Sequence, residues 1–179
     1  MGRYFSKCIN REKRTMVFIG LSSSGKTSLV KSLRKDDASA EGATNLYEQV
    51  NIRKGGYNIE VFDLSGDQKH YIFWKFYTEN CNLIIFVVDI SNSENILKSK
   101  NVFEIFYTSY LIKKSEIIFV LNKKDLVPSE SLDEIKREFI AEFSSVPGME
   151  KEDLDKKIIV TSAMLKEKTL FPFICTMLK

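Results

Sequence analysis

The sequence feature that most restricts the fold is the run from Gly20 to Thr27, which matches the pattern G-x-x-x-x-G-K-[ST]. An apolar run ending at Ile19 precedes it, and a helical pattern follows. The two glycines allow backbone N–H groups to point at phosphate oxygens, Lys26 would neutralise the β and γ phosphates, and the Thr27 hydroxyl suits Mg²⁺. The chain is therefore expected to bind phosphate between the end of a strand and the start of a helix.

The rest of the chain alternates between apolar runs and helical patterns. Strands are predicted at Thr15–Ile19, Asn58–Asp63, Leu83–Asp89, Glu116–Leu121 and Lys157–Thr161, and helices at Lys26–Arg34, His70–Thr78, Asn92–Tyr107, Leu132–Phe143 and Thr169–Leu178. Runs this continuously apolar are typical of strands buried on both faces of a parallel sheet. With Gln49–Arg53 as an edge strand, the pattern predicts a doubly wound α/β domain with a mostly parallel, six-stranded sheet.

A second phosphate element is predicted at the end of the strand Asn58–Asp63. Asp63 and Gly66 form the pattern D-x-x-G, in which the carboxylate would hold Mg²⁺ through water and the Gly66 N–H would meet the γ-phosphate. Thr44 lies in the polar stretch between the two phosphate elements. Its hydroxyl could complete the Mg²⁺ shell only when a γ-phosphate is present, and an ordinary loop threonine is the alternative.

Two further motifs follow strands nearer the carboxyl terminus: Asn122-Lys-Lys-Asp125 and Thr161-Ser-Ala163. Asp125 can accept hydrogen bonds from N1–H and the 2-amino group of guanine, which adenine lacks, so such a site discriminates strongly between the bases. Lys123 would lie along the base, Asn122 would tie this loop to the phosphate loop, and the Ala163 N–H would meet guanine O6. A solvated Asn-Lys-Lys-Asp turn is the alternative.

Together these motifs define a candidate guanine-nucleotide site. The predicted nucleotide contacts are Ser22, Ser23, Ser24, Gly25, Lys26, Thr27, Ser28, Thr44, Gly66, Asn122, Lys123, Asp125, Ser162 and Ala163. The predicted Mg²⁺ ligands are Thr27, Thr44 and, through water, Asp63.

In these motifs and their order the chain resembles the small GTPases, and specifically the Arf-like branch. The intervals from Lys26 to Thr44, on to Asp63 and on to Asn122 are similar to those of that branch. The resemblance covers nearly the whole chain except Ser144–Lys157, which is longer than usual. It implies a monomeric switch that binds GTP or GDP with Mg²⁺ and is served by an exchange factor, a GTPase-activating protein and effectors.

The chain departs from that branch at several positions. Asp67 stands where the branch has the glutamine that orients the attacking water; a carboxylate cannot donate to the γ-phosphate, so slow intrinsic hydrolysis is expected. Ser65 and Leu46 replace glycines, and Ser22 replaces an acidic residue. His70, the only histidine, could substitute for the missing glutamine, although an exposed histidine at a helix start is the alternative. No catalytic residue is therefore assigned.

The resemblance also implies an effector-binding patch across the strands between the two switch segments. Tyr47, Phe62 and Tyr77 occupy the matching positions. Aromatic residues at these positions could equally belong to the core, so both interpretations stay open.

The basic residues of the chain are concentrated at its N-terminus. The first fourteen residues hold five basic residues and one acidic residue, a net +4, which leaves −1 for the rest of a chain of net charge +3. Such a cluster favours anionic lipid, and the near-neutral remainder argues against a nucleic-acid-binding face. The sequence has no signal-peptide pattern, no long apolar run and no paired cysteines, which favours the cytoplasm.

Residues 1–14 are predicted to form a membrane-binding arm, followed by the GTPase domain at 15–179. Gly2 and Ser6 match the myristoylation pattern, and Cys8 could carry a palmitoyl chain. One myristoyl chain binds membranes only marginally, so the basic cluster would supply the second signal. In the Arf-like branch such an arm is released in the GTP state, which implies reversible membrane association and a role in vesicle or ciliary traffic.

Three alternatives to a cycling GTPase remain open at this stage. Asp67 is compatible with a pseudo-GTPase scaffold that holds GTP without hydrolysing it. A P-loop nucleoside or nucleotide kinase would share Gly20–Thr27 but would leave Asn122–Asp125 unexplained and lacks an arginine-rich lid in this sequence. A lipid-binding adaptor would account for the arm but not for the phosphate loop.

Overall fold

The computed structural model of the protein describes residues 12–34, 40–43, 45–54, 56–110, 115–165 and 168–178. Its strands are β1 Glu12–Ile19, β2 Ala40–Ala43, β3 Tyr47–Lys54, β4 Tyr57–Leu64, β5 Leu83–Asp89, β6 Glu116–Asn122 and β7 Ile158–Val160. They form one sheet in the order β2-β3-β4-β1-β5-β6-β7, in which β2, β3 and β4 are antiparallel neighbours and the other pairs are parallel. The predicted α/β class and mostly parallel sheet are confirmed.

Two details of the sheet differ from the prediction. A seventh strand, β2, lies outside β3, so the segment predicted as the edge strand is covered on both sides. Its sequence, Ala-Glu-Gly-Ala, has no apolar alternation that would reveal a strand. In addition, β1 begins at Glu12, where polar residues pair with β4, so the sheet starts within the segment assigned to the arm.

The helices are α1 Lys26–Leu33, α2 Tyr71–Thr78, α3 Ser93–Tyr110, α4 Leu132–Phe143, α5 Lys151–Lys156 and α6 Leu170–Met177. Short 3₁₀ turns lie at Gln68–His70, Lys124–Leu126 and Ser129–Ser131. The long segment Ser144–Lys157, for which no helix was predicted, contains α5, and the buried Leu154 anchors this helix to the core. No helix in the described part of the chain is both long and apolar enough to span a bilayer.

Side chains of the central strands point alternately into two cores. On β5, Ile84, Phe86 and Val88 pack with residues of α2, α3 and α4, whereas Leu83, Ile85 and Val87 pack with α1 and α6. Because both faces are covered, every position of the strand except its last is buried. This two-sided burial explains why the strand is a continuous apolar run rather than an alternating one.

The candidate site residues follow the carboxyl ends of the parallel strands. The strands β1, β4, β5, β6 and β7 run in the same direction, so these ends meet at one edge of the sheet. Pairing places Phe18 opposite Asp63 and Asp89 opposite Asn122. Open α/β sheets bind ligands at this edge.

Candidate functional site

The phosphate loop after β1 depends on its glycines. Gly20 and Gly25 have φ angles of 138° and 95°, which residues with a side chain rarely adopt. A Cβ atom on Gly20 would lie 2.3 Å from the carbonyl oxygen of Val87, and one on Gly25 would lie 2.2 Å from Nδ2 of Asn122. The loop is therefore pressed against two neighbouring strands, with room for backbone only.

Lys26, in the first turn of α1, is buried among backbone carbonyls. Its Nζ donates to the carbonyl oxygens of Gly20, at 3.0 Å, and Leu21, at 2.7 Å. Burial lowers the pKa of Lys26 to about 8, and the Asp63 carboxylate offsets part of that effect. A phosphate group beside this amine would favour its charged form, which fits the predicted role in nucleotide binding.

Thr27 and Asp63 form a pair of oxygen donors beside this lysine. The Thr27 hydroxyl donates to Asp63 Oδ2 at 2.5 Å. Burial raises the pKa of Asp63, and the bond from Thr27 and the charge of Lys26 counteract it. Among the described residues, Asp63 Oδ1 is buried without a hydrogen-bond partner, as is the hydroxyl of Ser24. Because Mg²⁺ prefers hard oxygen ligands, this orphaned carboxylate oxygen fits the predicted cation.

Gly66 packs directly onto the phosphate loop. A Cβ atom there would lie 2.5 Å from the Leu21 carbonyl carbon, 2.5 Å from the Ser22 nitrogen and 2.6 Å from the Gly20 oxygen. Any side chain at this position would therefore push the loop away. The close contact places the backbone after β4 beside the loop, and the contact of the Gly66 N–H with a γ-phosphate stays a prediction.

Asn122 joins three segments of the site. Its Nδ2 donates to the Ser24 carbonyl oxygen at 2.8 Å, which is the tie to the phosphate loop that the sequence predicts. Its Oδ1 accepts from the Ala163 N–H at 3.1 Å. The Ala163 N–H, which the sequence analysis expects to donate to guanine O6, therefore already donates to Asn122. A bound base would have to share this donor with Asn122.

The other polar side chains of the loops after β6 and β7 also contact neighbouring side chains. The Ser162 hydroxyl donates to an oxygen of Asp125, and Nζ of Lys123 contacts Asp89 Oδ2 at 2.6 Å. Burial would raise the pKa of Asp89, but hydrogen bonds from Lys123 and Ser91 outweigh it and lower the pKa overall. Asp89 was not among the predicted site residues; the only signal for it was its place at the end of a buried strand.

The phosphate loop and the loops after β6 and β7 surround one cavity of about 560 Å³, a size common for ligand sites. Its lining residues come from the phosphate loop and α1, from the loop after β6 and from the loop after β7: Ser23, Gly25, Lys26, Thr27, Ser28, Asn122, Lys123, Asp125, Leu126, Ala163 and Met164. Nine of them are predicted nucleotide contacts, and Leu126 and Met164 are additions. Predicted contacts for phosphate and for base therefore line the same cavity.

The segment after β4 contains two of the departures from the Arf-like pattern, Ser65 and Asp67, and Ser65 makes several of its hydrogen bonds. The Ser65 N–H donates to the Leu46 carbonyl at 2.8 Å, and its own carbonyl accepts from Trp74 Nε1 at 3.1 Å. Its hydroxyl accepts from the Asp67 N–H at 3.3 Å and lies 2.9 Å from His70 Nδ1. His70 is thus engaged with Ser65 in this structure.

Asp67 is partly exposed and ionised at neutral pH. Its carboxylate caps the 3₁₀ turn by accepting from the Lys69 N–H at 3.2 Å and lies 3.1 Å from Lys69 Nζ. These contacts with Lys69 hold the pKa of Asp67 below its ordinary value. The side chain at the position of the expected glutamine is therefore an acceptor without a proton to donate.

The three aromatic residues of the predicted effector patch contact one another. Ring centroids are 5.1 Å apart for Tyr47 and Tyr77, 5.3 Å for Phe62 and Tyr77, and 5.9 Å for Tyr47 and Phe62. All three are partly buried and pack against the core. On the neighbouring α2, the apolar residues Ile72, Phe73 and Phe76 are exposed. Thr44, Gly2 and Cys8 lie outside the described residues.

Fold and cavity together define a nucleotide-binding α/β domain, and comparison with known proteins assigns its family. The model of the ADP-ribosylation factor family matches residues 1–171. The chain belongs to this family, whose members are small GTPases, and it is a GTP-binding switch.

Individual relatives agree with this assignment. ADP-ribosylation factor-like protein 3 of Chlamydomonas reinhardtii is 26% identical over 129 residues, 69% of this chain and 70% of that protein. The small COPII coat GTPase SAR1 of Encephalitozoon cuniculi is 27% identical over 122 residues, 68% of this chain and 54% of that protein. The structure of the Arl6 BBS3 small GTPase from Trypanosoma brucei, with bound GppNp, has the same fold: the TM-score is 0.71 at 19% identity, over 92% of this chain and 95% of that one.

Proposed function

We propose that the protein binds GDP and GTP with Mg²⁺ in the cavity at the carboxyl edge of the sheet and changes conformation with the nucleotide. The observation that carries this proposal is the single cavity that joins buried Lys26 to Asp125. Lys26 and the backbone of the phosphate loop bind the phosphates, and Asp125 accepts hydrogen bonds from the guanine edge. The Ser162 hydroxyl donates to Asp125 and helps to orient its carboxylate.

Mg²⁺ would be held by Thr27, by Asp63 through water and by Thr44, together with phosphate oxygens. The cation would neutralise charge between the phosphates. The chain's own contribution is to keep Asp63 buried with one free oxygen and to hold Thr27 beside it. Binding of the ion would therefore satisfy an oxygen that the described residues leave without a partner.

Slow hydrolysis is part of the proposal. The γ-phosphate would meet Gly66, and the next side chain along is the ionised Asp67, held by Lys69. A negative charge beside a triphosphate is unfavourable, and a carboxylate offers no donor to the developing charge of the transition state. The same observation favours the second candidate function, a scaffold that binds GTP without turning it over.

Attachment to membranes through the arm at residues 1–14, and a role in vesicle or ciliary traffic, complete the proposal. It is supported by the basic cluster and the myristoylation pattern at Gly2, and by the name of one relative, a coat GTPase. With GTP loaded, the protein should bind anionic vesicles more strongly than with GDP. A Gly2→Ala form that stays on membranes in cells would contradict the lipid-dependent part.

The aromatic residues Tyr47, Phe62 and Tyr77 are proposed as the base of an effector site. Their mutual contacts and partial burial suit a firm apolar platform. The neighbouring Phe76 is exposed and extends the apolar surface. Phe76→Ser should reduce capture of GTP-dependent partners without changing nucleotide affinity; equal capture by both forms would contradict an effector role for this surface.

The nucleotide that accompanies the purified protein tests the central proposal. Denaturation and chromatography should release GDP or GTP in a ratio near one per chain, and retained GTP would favour slow turnover. In competition, ATP should not displace labelled GDP, because adenine cannot satisfy Asp125. Displacement by ATP as effective as that by GTP would reject the guanine site and favour the kinase alternative.

A further inference from the structure

Ser65 and His70 form a contact that the proposed binding of nucleotide does not use. The Ser65 hydroxyl oxygen lies 2.9 Å from Nδ1 of His70 and accepts from the Asp67 N–H at 3.3 Å. With that N–H as its donor, the hydroxyl can direct its own proton to Nδ1 when the neutral imidazole carries its proton on Nε2. A serine that donates to an imidazole nitrogen is activated as a nucleophile.

Ser65 directly precedes the residue that packs on the phosphate loop. A Cβ atom on Gly66 would lie 2.5 Å from the Leu21 carbonyl carbon and 2.5 Å from the Ser22 nitrogen. On the other side, the Ser65 N–H donates to the Leu46 carbonyl at 2.8 Å, which ties Ser65 to the residue before β3. Under the proposed function Gly66 meets the γ-phosphate, so the activated hydroxyl belongs to the adjoining residue.

We propose that the protein transfers the γ-phosphoryl group of GTP to its own Ser65, with His70 as the general base. This inference rests on the proposed GTP site and adds a second fate for the γ-phosphate besides transfer to water. The Ser65 oxygen forms a bond to the γ-phosphorus, and the bond from that phosphorus to the β–γ bridging oxygen breaks. The hydroxyl proton passes to Nδ1 of His70, and the products are phosphoserine and GDP.

The residues around Ser65 favour this transfer over hydrolysis. The carboxylate of Asp67, which lies 3.1 Å from Lys69 Nζ, offers water no donor toward the γ-phosphate. A hydroxyl that is part of the chain needs no such orientation, because the fold already holds it in place. After the transfer, the protonated His70 lies beside the new phosphate and can pair with it.

The test follows the γ-phosphate of labelled GTP. Protein loaded with GTP that is labelled at the γ-phosphate or, separately, at the α-phosphate is followed through a single turnover and then denatured. The γ-label should stay on the protein, at no more than one phosphate per chain, and the α-label should leave with GDP. The rate should not depend on protein concentration, because the step is intramolecular. Mass spectrometry of the peptides should place the phosphate on Ser65.

Four variants separate the roles of the two side chains. Ser65→Ala should abolish the label, whereas Ser65→Thr, which keeps a hydroxyl, should retain it. His70→Gln should slow labelling by about a hundredfold, a common contribution of a general base. Ser145→Ala is the matched control, since it removes an exposed serine hydroxyl on another surface and should be labelled like the wild type. GDP affinity is measured for each variant, so that a lost label is not mistaken for lost binding.

The inference is overturned if the wild type binds GTP and retains no γ-label, or if Ser65→Ala is labelled like the wild type. Labelling of His70→Gln at the wild-type rate would overturn the role of His70 as the base. A wild type that binds neither GDP nor GTP would reject the proposed function as well. Tight binding of GTP without label on the protein would reject the phosphoryl transfer alone.

Discussion

The nucleotide cavity and the segment from Ser65 to Thr78 lie at the same edge of the sheet but are held in different ways. In the cavity, Asn122 links the phosphate loop to the loop after β7, so distant parts of the chain hold one another. In the segment, one residue, Ser65, collects bonds from Leu46 and from residues up to Trp74. The links of the cavity are spread over several residues, whereas the polar contacts at the start of the segment converge on Ser65 and can be released there, while the buried Trp74 keeps α2 on the core.

Nucleotide binding and the response to it therefore depend on different residues. The cavity retains the features that the motifs require, and the segment contains the departures Ser65 and Asp67 together with His70. Changes in the cavity should therefore alter affinity or stability by large factors. Changes at Ser65 and Asp67 should alter turnover and mobility, while affinity stays the same.

The largest effect is expected for Asp125→Ala. The substitution removes the acceptor for two hydrogen bonds from guanine, each worth about 1.5–3 kcal/mol when a charged group takes part, so GDP affinity should fall by a factor on the order of 10²–10⁴. Equilibrium titration with GDP measures the loss. Ser162→Ala is the control, because it removes the support but keeps the carboxylate, and its loss should be much smaller. Equal losses in both variants would contradict direct recognition by Asp125.

Gly25→Ala should destabilise the fold even without nucleotide. A left-handed backbone costs a residue with a side chain about 1–2 kcal/mol. The added Cβ would also overlap Asn122 Nδ2 and displace it from the Ser24 carbonyl, a buried bond whose loss costs about 1–3 kcal/mol. Urea unfolding should therefore show a loss of about 3 kcal/mol in the free energy of unfolding.

Gly56→Ala is the matched control for this prediction. Gly56 has a φ of 87°, close to that of Gly25, but an added Cβ there would meet no atom within 4 Å. It should cost only the backbone part, about 1–2 kcal/mol. If the two variants unfold at the same urea concentration, the hydrogen bond from Asn122 to Ser24 contributes nothing to stability. The cavity would then not be stabilised by links between distant parts of the chain.

Asp67→Gln should accelerate single-turnover hydrolysis of GTP by about tenfold, because an amide can both accept from water and donate to the γ-phosphate. GDP affinity should stay unchanged. Lys69→Ala is the control: it removes the partner of Asp67 but leaves the carboxylate, so the rate should not rise. Equal rates for the wild type and Asp67→Gln, with and without cell extract, would reject this account of Asp67.

The sequence predicted the cavity better than the segment for a physical reason. Glycines, a lysine and a strand end encode the phosphate loop locally, and parallel strands bring the motifs after β6 and β7 to the same edge. The ion pair between Lys123 and Asp89 and the hydrogen bonds of Ser65 depend on which side chains meet in three dimensions. The spacing of residues along the sequence does not predict such contacts.

Elements without periodic apolar residues were also missed. The strand β2 and the polar start of β1 gain their order from pairing with neighbouring strands, and α5 has one buried anchor, Leu154, in a charged segment. Such elements are stabilised mainly by contacts with neighbouring strands or with the core. Their own sequences therefore carry only a weak hydrophobic pattern. The role of Thr44 stays a prediction.

The smallest effect is expected for Ser65→Ala, which removes the hydroxyl that accepts from Asp67 and contacts His70 but keeps both backbone bonds of Ser65. The free energy of unfolding should fall by about 1 kcal/mol, and GDP affinity should not change. Amide hydrogens of residues 67–78 should exchange faster. Emission of Trp74, the only tryptophan, should respond too, because its indole donates to the Ser65 carbonyl.

Ser145→Ala provides the comparison, since the Ser145 hydroxyl donates to the Glu142 carbonyl on an exposed surface far along the chain. It should leave exchange at 67–78 and Trp74 emission at wild-type values. If Ser65→Ala behaves the same way, the hydroxyl does not fasten the segment, and the single-residue fastening inferred from its four contacts is wrong. If Ser65→Ala instead weakens GDP binding by tenfold or more, the segment and the cavity are one cooperative unit, because loosening the first would then disorder the second.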